Sequence, residues 1–371
     1  MKKLIGTAML AALLATSAFA EITMGAWLRV LAAPVAYDGD DIVSGMTNSW
    51  GWGARVARVD FNGASDDEKV GFSMSVFNDA YDGIKAGDNY AIWAKPWDFL
   101  KVSFGKWDYT AFRGDLCFGS WNWIRPNNWF AADEGLTFDQ LGNQNGIQIE
   151  LTPIEGLLIM WNLPLESGFN DAYKMFQKQD IAAKYTIGDI GTIKAGWEGQ
   201  TSEYNGDAKK LGDINVAFDL TAVENLYLTV GVKVNIANSD AKTDGTEFLK
   251  AAAGMSYQIA DNFKLSASLA VQTYEEVDPA LQVGVGVDVG LTDELTLNAD
   301  VRALFGDLGD IDPTISFLVG LQYSISSNGY VGIGFQGSTN SCGFLSEAGG
   351  IKAAKSDAFC WAVPIAISCW F

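Results

Sequence analysis

Trp361-Ala362-Val363-Pro364-Ile365-Ala366-Ile367-Ser368-Cys369-Trp370-Phe371, the C-terminal stretch of the chain, alternates between two sets of residues. Trp361, Val363, Ile365, Ile367, Cys369 and Phe371 form a continuous apolar series, with Ala362, Pro364, Ala366, Ser368 and Trp370 between them. A period of two predicts a strand with one greasy face. At about 3.3 Å per residue and a tilt near 40°, it climbs about 25 Å, the height of the apolar band on a transmembrane barrel. Aromatic residues stand at both ends, where the two water–lipid boundaries would fall.

The opposite end of the chain predicts export. Lys2 and Lys3 precede an apolar run from Ala8 to Leu14, and Ala18-Phe19-Ala20 puts small residues at the two positions a signal peptidase tests. Residues 1–20 therefore read as a secretory signal peptide cut before Glu21, and residues 21–371 as one mature domain. The apolar run is too short for a retained membrane anchor, and no cysteine follows the cut to carry a lipid.

With 25 basic residues against 45 acidic, a formal charge of −20, the chain would repel nucleic acid. Hydrophobic residues make up 49% of it, yet no compact helix of about 20 apolar residues follows the leader. The uncharged stretch from Ile315 to Ser346 is broken by the turn Ser326-Ser327-Asn328-Gly329 and reads as a hairpin. Histidine is absent and Cys117, Cys342, Cys360 and Cys369 have no CxxC spacing, which disfavours a zinc site. Cys342 and Cys360 fall in one expected loop, where a disulfide and free thiols are both open readings in an oxidising envelope.

One phrase recurs along the chain. Short acidic or Asn-bearing turns lead straight into alternating strands, as in Asp98-Phe99-Leu100, Glu224-Asn225-Leu226, Asp261-Asn262-Phe263 and Asp293-Glu294-Leu295. Longer irregular connections alternate with these turns. The pattern predicts an all-β fold, a transmembrane antiparallel up-and-down β-barrel. Expected strands lie near 22–32, 52–62, 68–77, 89–95, 99–107, 146–151, 157–163, 179–186 and 192–199. The second half adds 212–220, 226–236, 248–258, 263–273, 280–290, 294–305, 314–325, 330–337 and 359–371. That makes about 18 strands, with 16 the alternative, and a barrel this wide leaves an aqueous channel.

The stretch from Ala94 to Lys106, with Phe112-Arg113-Gly114 and Phe118-Gly119-Ser120-Trp121-Asn122-Trp123, resembles the porin-like outer-membrane proteins of treponeme-type spirochaetes. Met1 to Ala8 and Trp50-Gly51-Trp52-Gly53 are similar to that group as well. The resemblance implies a porin in the cell outer membrane, passing small hydrophilic solutes by passive diffusion. A lipid-facing terminal Phe371 likewise resembles bacterial outer-membrane barrels, where that residue belongs to the signal read by the barrel-assembly machinery. A homotrimer suits a general porin, although no residue pattern in the chain speaks for one.

If the apolar set of each strand faces lipid, its partners face water. The bore then receives Arg29, Arg58, Lys101, Lys184, Lys194, Lys233, Lys250, Lys264 and Arg302. It also receives Asp60, Glu150, Glu198, Asp219, Asp288 and Asp300, giving a mildly basic wall in an acidic protein. The remaining acid is expected in loops such as Asp38-Gly39-Asp40-Asp41, Asp66-Asp67-Glu68 and Asp307 to Asp312. The longest connection, Asp108 to Asn145, is the third on its side and the candidate constriction, with Arg113, Arg125, Asp133 and Glu134 beside Trp121, Trp123, Trp129 and Phe130.

Enzymatic readings lack their parts. Barrel hydrolases and proteases use a histidine base, and this chain has none. The glycines of Gly284-Val285-Gly286-Val287-Asp288-Val289-Gly290 mark one strand face, not a phosphate loop. Asp307, Asp310 and Asp312 do not make a twelve-residue calcium loop. No cofactor or metal is expected, and the rival reading is a surface adhesin or antigen whose barrel only displays loops.

Overall fold

The computed structural model describes residues 22–47, 55–79, 83–106, 109–113, 145–165, 172–199, 203–204, 207–208, 210–237, 247–274, 277–306, 313–339 and 358–371. Alternating segments become strands throughout. The first half holds β1 (Ile22–Tyr37), β2 (Ile42–Thr47), β3 (Arg55–Ala64), β4 (Val70–Asp79), β5 (Gly83–Trp97), β6 (Leu100–Lys106), β7 (Gly146–Leu151), β8 (Leu157–Pro164), β9 (Asp180–Ile187) and β10 (Gly191–Glu198). A short hairpin, β11 (Glu203–Tyr204) and β12 (Asp207–Ala208), stands apart from the main sheet. The second half holds β13 (Lys210–Leu220), β14 (Leu226–Ala237), β15 (Glu247–Ala260), β16 (Phe263–Tyr274), β17 (Val277–Gly290), β18 (Leu295–Phe305), β19 (Thr314–Ser326), β20 (Gly329–Ser338) and β21 (Cys360–Trp370). One short helix, α1 (Ala172–Gln177), precedes β9.

From β3 to β21 each wall strand pairs antiparallel with the next, and β21 returns to β1 from Trp27↔Trp370 to Tyr37↔Trp361. At the seam the Phe371 amide donates to the Ala26 carbonyl at 2.8 Å, and the Ala26 amide donates back at 3.0 Å. The ring therefore closes and leaves no open sheet edge. Along the other side of β1, β2 pairs with Leu31–Tyr37 and β3 with Ile22–Leu28, so the two share one place in the wall. The result is an antiparallel barrel of 18 strands plus the extra strand β2.

Short turns at 65–69, 98–99, 152–156, 188–190, 221–225, 261–262, 291–294 and 327–328 cluster at the end that holds Ile22 and Phe371. The strand ends that lead into the longer connections stand at the opposite end. Most expected strands match within about three residues, while β5 begins six residues before the expected 89 and β1 runs five residues past the expected 32. Three elements were not expected from the sequence: β2, the β11–β12 hairpin and α1. A fourth difference concerns Cys360, which opens β21 instead of lying in a loop and is disulfide-bonded. Cys369 is free, while Cys117 and Cys342 lie outside the described residues.

The faces of the wall are the reverse of a soluble protein's. On β17 and β18 the outward Val285 and Val301 are each 53% exposed, whereas the inward Gln282 and Arg302 are 2% and 4% exposed. Outward Val319, Ile333, Phe335 and Ile367 continue the apolar band around the ring to β21. In water such a continuous surface would drive aggregation. Against hydrocarbon it costs nothing, and ring closure satisfies the backbone groups that lipid cannot. Inward Gly284 and Gly286 stand opposite Arg302 and Asp300 on β18, so small residues leave room for the long ones beside them.

Candidate functional site: the inner wall and the third long connection

Period two and pairing register place Arg29, Arg58, Lys101, Lys194, Lys233, Lys264, Asp288, Asp300 and Arg302 on the face opposite the apolar band, as expected. Lys184, Lys250, Asp60, Glu150, Glu198 and Asp219 share it. So do two carboxylates left out of the sequence-based set, Asp180 and Asp213. Both are buried, and they reduce the expected excess of cations, while Lys95, on the same face as Ala91 and over the Trp93 ring at 5.2 Å, adds to it, so the wall stays mildly basic.

These charges occur largely as pairs. Lys101 Nζ lies 2.7 Å from Glu150 Oε2 across the β6–β7 pairing, and Lys194 Nζ lies 2.5 Å from Asp219 Oδ2. Lys233 Nζ stands 3.0 Å from Asp213 Oδ2. Two arginines use their own strand, where residues i and i+2 share a face: Arg58 Nε to Asp60 Oδ1 at 2.6 Å, and Arg302 Nη2 to Asp300 Oδ2 at 3.6 Å. Lys264 stands opposite Asp288, which also accepts from Asn298 Nδ2 at 2.6 Å. The guanidinium of Arg29 lies 4.7 Å over the Trp27 ring and that of Arg58 5.3 Å over Phe77.

The stem of the third long connection turns into the ring. Residues 109–113 lie against the inner wall, where Tyr109 and Phe112 pack in one buried cluster with Ala91, Met160, Ala182 and Ala217. Inward alanines on β9 and β13 leave the space these rings fill. Lys184 Nζ donates to the Ala111 carbonyl at 2.5 Å and Lys194 Nζ to the Phe112 carbonyl at 3.0 Å. The Tyr109 hydroxyl donates to Glu150 Oε1 at 2.9 Å. Burial, with the adjacent Glu150 carboxylate and this hydrogen bond, pushes the phenol far above its ordinary pKa, so it stays a donor.

Arg113 closes a turn in this stem, its amide donating to the Thr110 carbonyl at 3.1 Å. Arg125, Asp133 and Glu134, together with Trp121, Trp123, Trp129 and Phe130, lie outside the described residues. Tyr109 and Phe112 were missed by sequence reasoning. Their signal is an aromatic pair three residues apart just past a strand end, facing alanines where the wall should be polar. The Phe371 side chain is 80% exposed at the short-turn end.

No protein-family model matches the chain, and none of the curated proteins matches it. Its fold is similar to that of an anion-selective porin from Comamonas acidovorans, at a TM-score of 0.54 and 14% identity over 95% of this chain and 100% of that one. Pseudomonas putida OprB gives a TM-score of 0.52 at 12% identity, covering 95% of this chain and 94% of the other. The outer-membrane channel DcaP of Acinetobacter baumannii gives 0.52 at 12% identity over 96% and 99%. The closed ring, its inverted faces and these likenesses together show that the chain has the porin-like outer-membrane β-barrel fold.

Proposed function

We propose that the chain is an outer-membrane porin whose bore is a water-filled channel for passive diffusion of small hydrophilic solutes. The observation that carries this reading is the wall itself: a closed ring, apolar outside, with paired charges and amides inside. At about 4.8 Å between strands and a tilt near 40°, 18 strands enclose a ring roughly 35 Å across its backbone. Side chains and the inward stem at 109–113 narrow that bore on one side.

Arg29, Arg58, Lys101, Lys194, Lys233, Lys264, Asp288, Asp300 and Arg302 act in this reading as pore lining, and 109–113 begins the constriction. Because most lining charges have a partner within 4 Å, their fields cancel over a Debye length of about 8 Å and ion selectivity is weak. Export by the leader at 1–20, assembly signalled by Phe371, a homotrimer and kinship with treponeme-type porins complete the proposal. The kinship rests on the phrases at 94–106 and 112–123.

Purified protein in a planar bilayer tests both parts. Stepwise conductance is expected, with reversal potentials close to zero in a salt gradient. Silent membranes refute the channel; a permeability ratio strongly favouring one sign refutes the paired wall.

A further inference from the structure

One step nearer the long-connection end than the alanine socket, the inner wall carries an unbroken row of amides and carboxylates. Register places Gln148 opposite Asn162, Asn162 opposite Asp180, Asp180 opposite Glu198, Glu198 opposite Asp213 and Asp213 opposite Asn235. Neighbours on such a row stand about 5 Å apart at Cβ, so six strands contribute one continuous polar band. Asn215, between Gly196 and Lys233, lies one step below it.

Two carboxamides, one in this band and one just below it, are unusual. Asn162 and Asn215 are both fully buried, and neither the nitrogen nor the oxygen of either carboxamide has a hydrogen-bond partner. Gln148 Nε2 and Asn235 Oδ1 are buried and unpartnered as well. Dry, unpaired amides are unfavourable, and natural structures retain them where something else pairs with them.

The chemistry of the band selects its ligand. A carboxamide offers a donor and an acceptor side by side, which suits a hydroxyl group, itself both donor and acceptor. Asp180, Glu198 and Asp213 accept from hydroxyl hydrogens and repel anions, and Lys233 is engaged by Asp213. A metal ion would leave the amide nitrogens unused, and among the described residues no three carboxylates or thiols come together as a metal cluster. We infer that this band is a subsite for an uncharged polyhydroxylated solute, a sugar or polyol; the inference rests on the porin reading and names its substrate class.

Side chains this deeply buried meet a solute only when a neighbour moves. Binding therefore produces discrete closures of the channel, not fast flicker.

The test uses full-length protein in planar bilayers, with maltose as the uncharged probe and spermidine as the cationic one at matched ionic strength. Maltose is expected to cause closures whose frequency rises with concentration. The variant Asn162→Ala/Asn215→Ala is expected to keep the unblocked conductance and to need at least tenfold more maltose. Because these amides have no partners to lose, the variant also keeps the folded mobility on unheated gels.

Open channels indifferent to maltose, or a variant blocked as readily as the parent, overturn the inference and leave the porin reading standing. Closures by spermidine alone assign the band to cations and overturn it too. Membranes without any channel steps overturn the porin reading and this inference together.

Discussion

Phe112→Ala should loosen the inward stem without disturbing the wall. The ring is 1% exposed and fills the socket made with Met160, Ala182 and Ala217. Truncating a buried phenylalanine costs about 3–5 kcal/mol, and the lower end is enough to shift the balance. At about 1.4 kcal/mol per power of ten, roughly 3 kcal/mol is about a hundredfold in the ratio of docked to undocked stem. Lys184, Lys194 and Tyr109 still hold the segment through hydrogen bonds of 2.5, 3.0 and 2.9 Å, each worth about 1.5–3 kcal/mol when charge-assisted. The stem therefore stays docked on average but releases far more often. Single-channel records should show brief excursions to a larger conductance, and limited proteolysis should cut the 107–145 connection up to about a hundredfold faster where cleavage follows the open population. Adding Lys184→Met should make the larger state dominant. An unchanged conductance histogram together with an unchanged cleavage rate would refute the reasoning.

Three further outcomes follow from particular contacts. Lys194→Met strands Asp219, which keeps the Thr229 hydroxyl at 2.8 Å but loses its ion pair, and should cost about 3 kcal/mol in urea unfolding from lipid vesicles. The double variant Lys194→Met/Asp219→Leu should recover most of that loss. Gly105→Ala forces a side chain onto a φ of +130° and against the Tyr90 carbonyl, so the same measurement should report a loss of about 1–3 kcal/mol. In the 65–69 turn, Ser65 Oγ donates to Asp67 at 2.6 Å and the Lys69 amide at 3.2 Å, which holds the Asp67 carboxyl below its ordinary pKa. A lowered folded-state pKa stabilises above the unfolded value near pH 4, and the effect fades as pH falls through the folded one. Thermal unfolding of the parent and of Asp67→Asn should therefore converge at the acid end; a gap constant with pH contradicts this.

Period two makes most of the wall legible from sequence, because Val283, Val285 and Val287 announce an outer face without reference to any neighbour. What it does not supply is context. Asp180 has the phase of Lys184, but Ala182 between them interrupts the polar series. That inward position is small where Phe112 packs, and Phe112 is held by Lys194, 82 residues away in the chain. Two alanines that weaken the polar pattern are thus the clue to the stem they accommodate. The short β2 escaped notice for a different reason: it shares its place in the wall with β3, so a count of full-length strands gives the right ring without it.

Register then decides the electrostatics of the bore. Lys233 meets Asp213, and Asn298 meets Asp288, only because each hairpin sets its strands at one alignment. A slip of a single residue in either would turn one partner toward the apolar band, exposing a polar group to lipid and leaving the other unpaired. Alignment within each hairpin is fixed by its short turn, at the end where Ile22 and Phe371 lie. Those turns therefore specify the contacts within each hairpin, while Lys101–Glu150 and Lys194–Asp219 join strands of successive hairpins, aligned by their pairing around the ring. The long connections at the other end are released from that duty, and the stem at 109–113 uses the freedom to enter the ring.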